Sequence, residues 1–428
     1  MTMALLLFAL LFAFMFLGLP ISFAIEAANI SFMSLTDTLN FLLVPQRVVV
    51  GLNSFTLLAI PLFMLAGYIM EEAGLSQRLV DWVICIFGKL PGSMGVVTIV
   101  ACTIFAALTG SGPATVAAIG AIMLPALLKS GYSRSASAGI IAAGGALGPI
   151  IPPSIGMIMY GSTMNVSVPK MFMAAVIPGL MMALAMIIVN MILVKRWKLQ
   201  PFKETYTARE VFRRTWKALP TLLLPIIILG GIYGGVFTPT EAGCVGCVYA
   251  LFLGLIYKSF TFKKLFVIFR KTAENAAACV CIGGMANLFA YILSVTKIPV
   301  IISNAVISVV DNKYVYLLAL YLIMMVVGAT METITSIVIL APILIPIGTA
   351  MGLNELHLAM AFCLNLIVGI ITPPFGMNLF VTSSTTGESF GSVVKGVLPY
   401  MLAVLVVVLL ATFIEPLTLW LPSLMFAK

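Results

Sequence analysis

The chain has 428 residues, 62% of them hydrophobic and only 9% charged. That is too little charge to cover a water-facing surface, so the composition excludes a soluble globular protein and defines a polytopic membrane protein. The net charge of +9 reads as basic residues flanking membrane spans, not as a nucleic-acid footprint.

The run from Met1 to Leu17 has no positive leading region and no small-residue cleavage site, so it reads as a retained first span. Ten spans follow from apolar runs bounded by Gly, Pro or charge, roughly at 3–18, 20–36, 55–72, 135–160, 170–194, 218–236, 240–257, 274–295, 356–380 and 392–415. Between the third and fourth span of each half lies a different pattern. Residues 76–90 mix Arg78, Asp81 and Lys89 with Leu79, Trp82 and Phe87, as suits a helix lying in the interface, and 297–312 repeats the plan. Two short apolar arms come next in each half, 94–108 and 114–128, then 314–328 and 333–350. At 1.5 Å per residue each is short for about 30 Å of hydrocarbon, so each pair predicts a re-entrant helical hairpin, with two thin spans as the plain alternative. The first hairpin covers 93–128 with its tip at Thr109-Gly110-Ser111-Gly112-Pro113. The second covers 314–350 with its tip at Gly328-Ala329-Thr330-Met331-Glu332.

The halves are a repeat. Pro125, Gly131, Gly148, Pro152-Pro153 and Pro178 recur 221 positions later as Pro346, Gly352, Gly369, Pro373-Pro374 and Pro399. Five spans per half invert the second relative to the first. With the polar stretch 195–217 as a basic cytoplasmic loop and both termini outside, Arg47, Lys170, Lys297, Lys313 and Lys428 fall outside, leaving 18 of the 23 Lys and Arg inside. The expected architecture is thus all-α: 1–194 as the first inverted repeat with its broken helix at 135–160, and 218–428 as the second with its broken helix at 356–380. The first hairpin opens from the cytoplasm and the second from outside, their tips meeting near midplane. Repeats with interrupted hydrophobic segments at matching places mark a secondary transporter whose site lies at the breaks.

Proline cannot propagate a helix, so 148–154 and 369–374 should free several carbonyls, which non-helical backbone at membrane depth tolerates only beside a cavity or protein. Carbonyl ends attract cations and N-terminal ends attract anions. Thr109, Gly110, Ser111 and Gly112 facing Gly148, Pro149 and Ile151 form one expected sodium set; Gly328, Thr330 and Glu332 facing Gly369 and Thr372 form the other. The substrate is expected between them, on Ser111, Pro113, Thr115, Ser154, Thr333, Asn365, Pro374 and Asn378. No Arg or Lys lies in either broken segment, so an anion must be held by helix ends, amides, hydroxyls and bound cations. Glu332 reads three ways, as a cation ligand, a proton carrier or the N-cap of the second arm.

Other chemistry lacks its parts. Cys244 and Cys247 share one face of an apolar helix with no β-α-β context, and the one histidine, His357, lies at a helix start outside the bilayer. A zinc site or a Ser-His-Asp triad cannot be assembled, and no glycine-rich segment carries the Lys-Ser/Thr of a nucleotide loop, so the chain reads as neither an enzyme nor an ATP-driven pump.

At Gly110-Ser111-Gly112-Pro113-Ala114-Thr115, Ile151-Pro152-Pro153-Ser154, Gly235-Val236-Phe237-Thr238-Pro239-Thr240-Glu241-Ala242 and Thr372-Pro373-Pro374-Phe375-Gly376 the chain resembles the large membrane subunit of TRAP (tripartite ATP-independent periplasmic) transporters, the DctM-like permeases of the ion transporter superfamily. The resemblance spans nearly the whole chain. It implies a sodium-driven importer in the bacterial inner membrane, working as an elevator, with two partners: a small four-helix membrane subunit and a periplasmic binding protein that delivers the substrate. It implies an organic acid as substrate, among C4-dicarboxylates and sialic acids, and the overall look leans toward sialic acid on no particular residue. The rivals are a sodium/dicarboxylate symporter that needs no binding protein, an ion channel and an intramembrane enzyme.

Overall fold

The computed structural model describes residues 2–37, 39–88, 92–199, 206–310 and 312–426, and every regular element among them is helical. The first half runs α1 (Thr2–Phe16), α2 (Ile21–Thr36), α3 (Leu43–Leu52), α4 (Ala59–Glu72), α5 (Leu75–Phe87), α6 (Ser93–Thr109), α7 (Gly112–Lys129), α8 (Arg134–Gly145), α9 (Ile155–Met164) and α10 (Val168–Trp197). The second runs α11 (Ala208–Tyr233), α12 (Pro239–Ile256), α13 (Phe262–Val295), α14 (Ile298–Ile307), α15 (Lys313–Thr330), α16 (Thr333–Ala350), α17 (Glu355–Gly369), α18 (Met377–Thr386), α19 (Phe390–Phe413) and α20 (Pro416–Met425).

The shift of 221 maps one half onto the other helix by helix: α16 begins and ends 221 positions after α7, and α17 begins 221 after α8. The exceptions are α13 and α20. Shifted back, α13 covers α3 and α4 together, so the first half breaks at 53–58 a helix that the second keeps whole, whereas α10 runs whole where the second half breaks at 414–415 between α19 and α20. Neither α3 nor α20 is anticipated by hydropathy, because ten residues rise only about 15 Å and leave no span-length signal. Helix α13 instead runs 34 residues, twelve more than the expected 274–295. Its first turns carry Lys263, Lys264, Arg270 and Lys271, and nothing there breaks the ladder.

The stretch expected as a central loop, 195–217, is helical at both ends. Helix α10 runs on to Trp197, and α11 starts at Ala208 because Thr207 and Glu210 cap it reciprocally: Thr207 N donates to Glu210 Oε2 at 2.9 Å and Glu210 N donates to Thr207 Oγ1 at 3.3 Å. Residues 200–205 of that stretch lie outside the described residues, as do Lys89 and Leu90 of the first interfacial segment and Asp311 of the second. His357 does sit in the first turn of α17, but it is buried, with Nδ1 2.8 Å from Thr418 Oγ1 and Nε2 3.0 Å from the Thr412 carbonyl. Helix α20, which the hydropathy missed, covers it.

Two bodies result. Helices α1–α4 pack with α11–α13, while α6–α10 pack with α15–α20. Small residues close the second body: a β-carbon on Gly139 would strike the Gly396 backbone and one on Gly396 the Ser135 carbonyl, so α8 and α19 lie backbone to backbone. Helices α5 and α14 join the bodies, α5 packing on both α11 and α6, and α14 on both α13 and α16. Trp82 Nε1 donates to Thr215 Oγ1 at 3.1 Å and Arg78 stacks on the Tyr257 ring at 3.5 Å, which pins α5 to the α11–α12 side.

Among the described residues eight helices are long and apolar enough to cross a membrane, and these include the hairpin arms α7, α15 and α16 at 18 residues each. Length does not separate a re-entrant arm from a thin span here.

Candidate functional site

Helix α8 stops at Gly145, and the run Gly148-Pro149-Ile150-Ile151-Pro152-Pro153 holds the chain open until α9 starts at Ile155. Ser154 closes the gap from both sides. Its hydroxyl donates to the Pro149 carbonyl at 2.6 Å and accepts from Met157 N at 3.3 Å as the N-cap of α9. In the second half the gap lies between Gly369 and Met377, and Phe375 N donates to the Ala329 carbonyl at 3.2 Å, tying the break to the second hairpin's tip.

Glycine makes these contacts possible. Gly110 turns the first tip at φ +61°, and a β-carbon there would collide with the Pro153 carbonyl. A β-carbon at Gly148 would lie 2.5 Å from the Ser111 carbonyl. Gly369 stands against Gly328 just as closely. In each half, then, the matching glycine of the broken helix seats the hairpin of that half.

Both tips open onto one cavity of about 470 Å³, a size that suits a small organic ligand. Of the residues expected at the site, Gly110, Ser111, Gly112, Pro113, Pro149, Gly328, Thr330, Glu332 and Thr333 line it. The others stand behind the lining. Thr109 and Thr115 are buried, their hydroxyls 3.2 Å apart, with Thr115 donating to the Ser111 carbonyl at 2.8 Å. Gly148 and Gly369 are buried contacts between break and hairpin, while Ile151 is buried against Gly179 of α10. Thr372 donates to the Val368 carbonyl at 2.9 Å, and Pro374 is exposed but off the cavity wall. Asn365 is spent on α19, its Nδ2 donating to the Ala361 carbonyl at 2.6 Å and to Thr412 Oγ1 at 3.1 Å.

Asn378 is the exception among these. It is buried, its Nδ2 donates to the Ala142 carbonyl at 3.3 Å, and its Oδ1 has no hydrogen-bond partner. That oxygen lies against Gly112 and the amide nitrogen against Gly145. An acceptor from the second half is thus left open beside the tip of the first.

The rest of the wall was not foreseen. Met64 of α4 and Cys279 of α13 come from the other body, and Phe375, Met377, Phe380 and Val381 form an apolar rim. Met64 and Cys279 sit in unbroken helices, where no turn or motif singles them out.

The lining holds no Lys or Arg, and Glu332 is its one carboxylate. Four helix N-termini point their first residues into it: α7 with Gly112 and Pro113, α9 with Ile155 and Gly156, α16 with Thr333 and Ile334, α18 with Met377. Each helix end brings about half a positive charge, although at α18 Asn378 N already donates to the Ile370 carbonyl at 3.0 Å. Glu332 offsets one, its Oε2 accepting from Thr335 N at 3.1 Å as the N-cap of α16. Among the described residues no three His, Cys, Asp or Glu side chains gather to hold a metal, so a cation here would rest on backbone, hydroxyl and amide oxygens.

Paired hairpins and paired broken helices around one shared cavity define the chain as a membrane transporter of the secondary-carrier type. The family described as the DctM component of the tripartite ATP-independent periplasmic transporter matches residues 8–417, and the chain belongs to that family. It is 39% identical over 370 residues to the C4-dicarboxylate TRAP transporter large permease protein DctM of Pseudomonas aeruginosa, covering 86% of each chain. It is 34% identical to the 2,3-diketo-L-gulonate TRAP transporter large permease protein YiaN of Escherichia coli, covering 94% of each. It is 31% identical to the sialic acid TRAP transporter large permease protein SiaM of Vibrio cholerae, covering 96% of each. The crystal structure of the Alcanivorax borkumensis YdaH transporter superposes with a TM-score of 0.62 over 87% of both chains at 16% identity, a likeness of fold. As a family, TRAP large permeases work with a small membrane subunit and a periplasmic binding protein.

Proposed function

We propose that the chain imports a small organic acid anion, driven by sodium and membrane potential, across a bacterial inner membrane with both termini outside. The observation that carries this is the convergence of four helix N-termini on a cavity with no basic side chain. Such a cavity attracts a carboxylate but does not neutralise it fully, so co-bound cations complete the charge balance. The open Asn378 Oδ1 beside Gly112 is a suitable oxygen for the first cation, with Ser111 and the backbone about it. Glu332, whose Oε2 already caps α16, serves the second from its remaining oxygen.

Two sodium ions with a monoanion carry one net charge, worth about 2.3 kcal/mol per 100 mV and so roughly fiftyfold accumulation before the sodium gradient contributes. Movement follows from the packing: the body holding the hairpins and breaks slides past α1–α4 and α11–α13, with α5 and α14 as the connecting arms. A small membrane subunit braces the fixed body, and a periplasmic binding protein delivers the substrate. The relatives named above differ in substrate at similar identity, so the acid is assigned here only as a small carboxylate.

Uptake into proteoliposomes tests the reading, with C4-dicarboxylates, 2,3-diketo-L-gulonate and sialic acid supplied in turn and with sodium and each family binding protein omitted in turn. Accumulation of one acid only when sodium and its binding protein are both present is the expected result. Accumulation without sodium would overturn the coupling, and uptake of free acid without any binding protein would favour the two-component symporter.

A further inference from the structure

A second polar cavity lies beyond the far end of α9, and the break in the first half makes it. Arg47 of α3 lines a space of about 330 Å³ walled by the α3–α4 break, the last turns of α9 and the end of α13. Its guanidinium carbon stands 3.7 Å from the Tyr291 ring centre, its Nε is buried without a hydrogen bond, and it joins neither of the ion pairs among the described residues. In the same cavity Asn287 keeps its Oδ1 buried without a partner, and the hydroxyls of Ser54 and Ser162 lie 3.1 Å apart.

An open cationic donor and an open neutral acceptor in one small space are each costly unless a ligand meets both. The ligand that does so carries a carboxylate for the guanidinium and a hydroxyl for the amide oxygen. The Tyr291 face holds the guanidinium flat and leaves its edge free for that contact.

We propose that this cavity is an outer anion subsite that takes the carboxylate of a hydroxylated organic acid on Arg47 before the acid reaches the central cavity. The proposal rests on the transport reading above and extends it. Helix α9 links the two places, its first turn lining the central cavity and Ser162, Thr163 and Asn165 lining the outer one. A further polar cavity of about 450 Å³ adjoins through Ser54, Ser162 and Asn165. The subsite has no counterpart in the other half: the 221-residue shift sets Ile268 where Arg47 stands, in a helix with no break. The difference between the halves marks direction, and the charge bias puts the Arg47 side outside, where an importer meets its substrate.

The test places a reporter in the cavity by Thr163→Cys and follows its labelling with N-ethylmaleimide in the purified full chain by peptide mass spectrometry. L-Malate or N-acetylneuraminate should slow labelling about tenfold or more relative to sodium chloride of equal ionic strength. Arg47→Gln should remove the protection and Arg47→Lys should restore part of it. Protection should persist with Ser111→Phe, which fills the central cavity. In uptake, Arg47→Gln should raise KM about tenfold with Vmax unchanged. Equal labelling with and without both acids, protection that survives Arg47→Gln, or protection lost with Ser111→Phe would overturn the proposal. Labelling needs no transport, so a chain that accumulated no acid would sink the transport reading while this experiment still decided the subsite.

Discussion

Two oxygens distinguish the central site at the level of single residues. Glu332 spends Oε2 on the first turn of α16, and Asn378 leaves Oδ1 open. If the rest of each side chain serves a cation, Glu332→Gln should keep the cap and the fold yet raise half-saturating sodium about tenfold. Glu332→Ala should cost about a further 1 kcal/mol of stability through the lost cap. Asn378→Ala should likewise weaken sodium dependence about tenfold while the protein remains monodisperse in detergent. Sodium titration of uptake reads all three, and unchanged sodium curves in both Glu332→Gln and Asn378→Ala would exclude these oxygens as ligands. Ser154 belongs to the opposite kind. Both of its bonds join the two ends of the first break, so Ser154→Ala should lower thermal stability by about 1–3 kcal/mol whatever it does to uptake.

At the level of elements, the site is made by helices that stop. Continuous helices would bury their N–H and carbonyl groups in their own ladders, and no open end would reach the central cavity. The stops need close backbone contact, so a single methyl tests them. Gly148→Ala would push Ser111 out of place and should abolish uptake even if the chain still inserts. Gly230→Ala has open space around its β-carbon in the last turn of α11 and should leave uptake unchanged while adding up to about 1 kcal/mol of helix stability. Loss of uptake in both, or in neither, would contradict the view that the break-to-hairpin contact is specific.

For the whole molecule, the central cavity lies where the two bodies meet, since Met64 and Cys279 face the hairpin tips across it. A sliding body must separate those surfaces in each cycle. Thr333→Cys bridged to the native Cys279 by a reversible thiol cross-linker should therefore stop uptake, and a reductant should restore it. Full activity of the bridged protein would show that the bodies do not move apart.

The sequence alone determined the duplication, the breaks and the hairpin tips, because Pro and Gly act locally on the backbone and leave their mark wherever they fall. Nine expected residues consequently line the cavity. Only the tertiary structure decided which side of a break each residue faces. Asn365 turned to α19, Ser154 closed on Pro149, and Asn378 reached back to Gly112, none of which spacing along the chain can reveal. It also brought Met64 and Cys279 to the cavity and Arg47 to Tyr291, pairings made by helices packing across more than 200 positions of sequence. Periodicity records where a helix stops, whereas packing between distant helices selects the partner that fills the gap.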